Sequence, residues 1–72
     1  MNKYKLGAIM HLNRDNGQTL SDYLGIARQT FSNKINGTRG AEFTQREIRL
    51  IKERYKLSAK DIDEIFFEEN VS

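Results

Sequence analysis

Leu20 to Gly37 reads LSDYLGIARQTFSNKING, and this stretch decides the fold. Two short patterns of helical period meet at a single glycine, Gly25, with Leu24 and Ile26 on either side of it. Glycine accepts the left-handed backbone that a sharp turn between helices needs. The spacing predicts a short helix ending at Leu24, a turn at Gly25, and a helix from about Arg28 to Asn36 that stops at Gly37. On the second helix Ala27, Phe31 and Ile35 recur at i, i+4 spacing on one side. Gln29, Ser32, Asn33 and Asn36 fall opposite, and Arg28 reaches the same outer side on its long stem.

Upstream, Leu6, Ile9 and Met10 lie at helical spacing and predict a first helix from about Lys3 to Arg14. Asp15-Asn16-Gly17 would end it, with Gly17 as the left-handed cap, and Thr19 is the expected N-cap of the next helix. Downstream, Phe43-Thr44-Gln45-Arg46-Glu47-Ile48 combines a capping box (Thr44, Glu47) with an apolar staple (Phe43, Ile48). Leu57-Ser58-Ala59-Lys60-Asp61-Ile62 repeats the device. These starts predict a fourth helix over about Gln45 to Tyr55, burying Ile48, Ile51 and Tyr55. A fifth is expected over about Ala59 to Glu68, burying Ile62, Ile65 and Phe66. Neighbours on a helix diverge by about 100°, so Phe66 and Phe67 cannot both face inward, and Phe67 is expected to be the exposed one. The expected fold is all-α: a compact five-helix bundle in one domain over 1–72, ordered from about 3 to 68 and frayed over 69–72.

Composition narrows the class. The chain has 72 residues, no cysteine and no proline, so disulfides and thiolate metal sites are excluded and helices meet no strong breaker. No run approaches the roughly 18 apolar residues of a membrane span, which makes a cytoplasmic location the expectation. His11 is the single histidine, and Asp61, Asp63 and Glu64 lack the glycine and spacing of a calcium loop. No metal or cofactor is expected. Nothing resembles a nucleophile–base pair or a phosphate-cradling loop, and an enzyme is not expected. Net charge is +2 overall, yet residues 1–40 carry +4 and residues 57–72 carry −4. A basic front and an acidic tail suit a protein that turns one end toward a polyanion.

A tight bend followed by a helix with outward hydrogen-bonding side chains is what reading base edges in a DNA major groove requires. The pattern therefore predicts a helix-turn-helix DNA-binding domain. Arg28 and Gln29 at the tip, with Ser32 and Asn33 one turn on, are the expected base readers, since arginine suits guanine and glutamine suits adenine. Lys34, Asn36, Thr38 and Arg39 around the end of that helix are expected to anchor phosphates, as are Gln18 and Thr19 at the start of the preceding helix. Tyr23 is read as a packing residue.

Leu20, Leu24-Gly25-Ile26, Thr30-Phe31-Ser32 and Asn36-Gly37 together resemble the Cro/repressor-type helix-turn-helix family. Glu47-Ile48, Leu57-Ser58 and Ile65-Phe66-Phe67 are similar to the small regulators of temperate phages of Gram-positive bacteria. The resemblance covers about residues 5 to 67. It implies base contacts at Arg28 and Gln29, a double-stranded operator as ligand, and a part in a lysis–lysogeny switch. The chain departs from the family at three places. Gly17 stands where a phosphate-contacting glutamine is usual, Ala27 where a serine or threonine caps the recognition helix, and Ile35 comes four rather than three positions after Phe31.

Two functions follow as expectations. One is a transcriptional regulator bound as two copies, a homodimer, on half-sites about 34 Å apart. The other is an antirepressor, a module on the same fold that binds the phage repressor protein, with Phe67 in the interface.

Overall fold

Short local signals set most of the helix ends. The computed structural model describes residues 1–67, so the expectations for Glu68 and for 69–72 lie outside the described residues. α1 spans Lys3–Leu12, α2 Gly17–Leu24 and α3 Arg28–Asn36. A 3-10 turn follows over Thr38–Gly40, then α4 over Gln45–Tyr55. α5 runs over Ala59–Ile62 and widens into a π turn over Asp63–Phe67. The result is compact and all-helical, with five helices and no strand among the described residues. No helix among them is long and apolar enough to cross a membrane.

Both predicted capping boxes form. Thr44 accepts from the Glu47 N–H while Glu47 accepts from the Thr44 N–H, and Ser58 and Asp61 do the same. Each cap contributes about 1 kcal/mol. Gly25 takes φ 75° and Gly37 φ 66°, closing α2 and α3 as expected.

The α1–α2 connection differs from the sequence reading. α1 ends at Leu12 rather than Arg14, and the left-handed residue is Arg14 (φ 60°), not Gly17. The chain turns back there because Asp15 N–H donates to the Met10 carbonyl at 2.8 Å. Nor is Thr19 the N-cap. Asn16 is, its side chain accepting from the Thr19 N–H at 2.9 Å while Thr19 Oγ1 accepts from the Asn16 N–H at 2.8 Å. α2 therefore begins earlier than expected, with Gly17 in its first turn.

Leu6, Met10, Leu20, Leu24, Phe31, Phe43, Ile51 and Ile65 form the core, each contributing about 1.5–3 kcal/mol. Phe43 is its hub, meeting Phe31 edge-on at 5.8 Å and Phe66 at 5.7 Å. Ile62 is buried, whereas Ile48, Tyr55 and Phe66 are half-buried. Phe67 is 56% exposed, as the divergence of neighbours demands. Ala27 leaves the expected apolar stack: it is the extended N-cap of α3 (ψ 151°) and lies exposed, so Phe31 and Ile35 alone carry that side inward.

Candidate nucleic-acid interface

α3 is held from behind. Phe31 is buried beneath it, and Lys34 Nζ donates to both carboxylate oxygens of Glu47 at 2.6 and 2.8 Å. Glu47 is 4% exposed, and burial by itself would raise its pKa. The bonds from Lys34 and the Thr44 backbone outweigh burial and keep the carboxylate charged. At the other end Arg46 donates to the Leu24 carbonyl at 3.4 Å, tying α4 to the turn between α2 and α3. A helix braced at core and flank keeps a fixed outer face.

That face carries the residues singled out above. Arg28 and Gln29 are exposed, and Ser32 and Asn33 are half-buried beside them. Gln29 Nε2 donates to Asn33 Oδ1 at 3.1 Å, so the two amides lie along one line and keep a carbonyl oxygen and an N–H for a ligand. Ala27 makes no side-chain cap. Arg28 bends back toward α2: a Cβ built on Gly17 would lie 2.5 Å from Arg28 Cζ, and the guanidinium stands 5.8 Å from the Phe31 ring centre.

The expected phosphate anchors divide into two groups. Gln18, Thr38 and Arg39 are exposed. Gln18 bonds Asp22 within α2 at 2.9 Å, and Arg39 holds a left-handed backbone (φ 55°) between Gly37 and Gly40. Thr19 is exposed but spends its hydroxyl on the cap and on Asp15 at 3.0 Å. Asn36 donates to the Ser32 carbonyl and accepts from Lys3. Lys34 must be reassigned: with its charge matched by a buried carboxylate and its side chain 14% exposed, it is a brace and not a phosphate anchor.

Two features escaped the sequence reading. Arg49 and Lys52 are exposed on the outside of α4, about 60° apart at 100° per residue, and Lys56, the left-handed residue that caps its end, is exposed as well. None has an ion-pair partner among the described residues. Counting charge by halves of the chain hides them, because Glu47 and Asp61 are consumed internally. The second is a polar knot at Asp15, whose side chain is 7% exposed. Arg54 grips it at 2.8 and 2.9 Å, Tyr55 donates at 2.6 Å, and Arg54 also covers the Tyr23 ring at 4.5 Å. The Arg54 bonds hold the Asp15 carboxyl well below the carboxylate range. Burial and the bond to Asp15 push the Tyr55 phenol well above its ordinary 10.0.

On another side an open groove of about 610 Å³ runs between the start of α1, the end of α3 and the π turn. Tyr4 (79% exposed) and Phe67 stand on it, over Ile35, Phe43 and Phe66. No cluster of three or more potential metal ligands occurs among the described residues.

No family model matches the chain, and neither curated proteins nor solved structures provide a significant match.

Proposed function

We propose that this chain is a sequence-specific DNA-binding regulator of helix-turn-helix type, with α3 entering the major groove. The observation that carries this reading is the aligned Gln29–Asn33 pair on the solvent side of a helix whose opposite side is pinned by Phe31 and the Lys34–Glu47 brace. The amide of either residue suits the N6 and N7 edge of an adenine. Arg39 and Gln18 flank the row and would hold phosphates, which position the domain without reading sequence. A body of 28 × 27 × 21 Å allows two copies side by side on half-sites about 34 Å apart.

The test is enrichment from a randomised duplex library, followed by binding of the enriched duplex to wild type, Gln29→Ala and Asn33→Ala. Each substitution should cost the preferred duplex about 1–3 kcal/mol and relax one or two base positions. Equal binding of all sequences by all three proteins would refute it.

A second reading has its own observation. The groove bearing the exposed Tyr4 and Phe67 suits a protein partner, and the resemblance to phage switch proteins makes an antirepressor acting on the lysogenic repressor the concrete form. Association with that repressor, lost on Phe67→Ser, would support it; no association at micromolar concentration would end it.

A further inference from the structure

A side chain at the tip of α3 has a choice of targets, and its direction decides between them. Arg28 follows the extended Ala27 and begins α3. Its guanidinium does not run on past the end of α3. It folds back so that Cζ, Nη2 and Nε all occupy the space that a Cβ on Gly17 would need, at 2.5, 2.6 and 2.7 Å. On its other flank it meets the Phe31 ring at 5.8 Å. The guanidinium is thus seated between the first turn of α2 and the ring beneath α3. Arg28 has no ion-pair partner among the described residues, so the seat is set by shape and the cation remains open to solvent.

In a helix-turn-helix docked on DNA the first helix of the pair crosses the sugar–phosphate backbone, while the second lies in the groove. A cation seated on the first turn of α2 faces the crossing strand and not the base edges. Resting on the DNA-binding reading above, we infer that Arg28 clamps a backbone phosphate rather than reading a base, and that Gly17 is the positioning residue that makes room for it. Base reading then falls to Gln29, Ser32 and Asn33. The glycine at the start of α2 gains a purpose: any side chain there would push the guanidinium off its seat. The change is tolerable to the fold, since Gly17 is in the first turn of a helix and has no left-handed φ.

Phosphate and base contacts leave different signatures. A phosphate contact contributes equally to every sequence and about one unit to the salt dependence of binding, whereas a base contact sharpens one position of the motif. Wild type, Arg28→Ala and Gly17→Ala are each used to enrich duplexes from a randomised library. Their affinities for the wild-type duplex and for a scrambled one are then measured between about 50 and 200 mM salt. Arg28→Ala is expected to give the same motif, to weaken both duplexes by a similar factor, and to lower the log–log salt slope by about one. Gly17→Ala should lower the slope likewise while melting no lower than wild type, because alanine is the better helix former. A base position lost from the motif in Arg28→Ala, or a wild-type slope in Gly17→Ala, overturns the inference and leaves the DNA-binding reading intact. Failure of the wild type to bind any duplex overturns both. Independently of DNA, a nuclear Overhauser contact between Gly17 Hα and the Arg28 side chain is expected in the free protein, and its absence overturns the seat itself.

Discussion

Lys34 reaches from the last turn of α3 to Glu47 at the start of α4 and donates to both of its oxygens, at 2.6 and 2.8 Å. The pair is nearly enclosed, at 14% and 5% side-chain exposure. It joins the candidate reading helix to the helix behind it, and it builds the Thr44 cap into the same knot through Glu47.

Breaking this pair from one side should be costly, because it leaves a buried carboxylate without its cation. Lys34→Met should destabilise the fold by about 3 kcal/mol. Measured well below its melting temperature, the variant should keep the wild-type salt slope for DNA, since Lys34 offers no free charge to a phosphate. Chemical denaturation and salt titration check the two halves separately.

Arg39 holds a left-handed backbone that costs a non-glycine residue about 1–2 kcal/mol, between two glycines that already have it. Arg39→Gly should raise stability by about 1 kcal/mol while weakening DNA binding. Strain kept at an exposed cation marks a place where position matters more than stability. A variant that loses stability would show that the backbone there is set by something else.

The glycines separate cleanly by conformation. Gly25 sits at φ 75° with open space where a Cβ would go, so Gly25→Ala should cost about 1–2 kcal/mol through the backbone alone. Gly7 lies within α1, also with open space, and carries no left-handed φ. Gly7→Ala should stabilise by about 0.5–1 kcal/mol, raising Tm by several degrees in a scanning melt. Opposite signs at two equally uncrowded glycines would establish the turn.

These contrasts show what a linear reading can and cannot reach. The boxes at Thr44/Glu47 and Ser58/Asp61 are local devices with fixed spacing, so they were legible without coordinates. The run Asp15-Asn16-Gly17-Gln18-Thr19 was not, because nearly every residue in it can cap or turn a helix. The choice of Asn16 depends on Arg14 taking the left-handed turn and on Asp15 being drawn to Arg54, far along the chain. Lys5 bonding Asp61 and Glu64 is equally invisible to helical periodicity. At the candidate site the outward row on α3 followed from the period. The reassignment of Lys34 and the seat of Arg28 needed the neighbouring helices.

Asp15 gives the fold an acid limit. Its folded pKa is depressed from the ordinary 3.8, chiefly by the Arg54 bonds, so the unfolded chain takes up the proton first as pH falls. The stability it contributes is present above about pH 5 and declines as pH drops through 3.8 toward the folded value. Asp15→Asn should be less stable by about 1–2 kcal/mol at neutral pH and show a flatter loss between about pH 5 and 2.5. Urea melts across that range check it; parallel curves for the two proteins would contradict it.

DNA binding by the outer face of α3 is tested most directly by an amide chemical-shift titration of the labelled protein with its enriched duplex. The prediction is that the largest changes fall on residues 28–33, the first turn of α2 and the loop at Arg39, with Tyr4 and Phe67 little moved. Changes centred on Tyr4, Phe67 and the groove beneath them, with α3 unmoved, would contradict it.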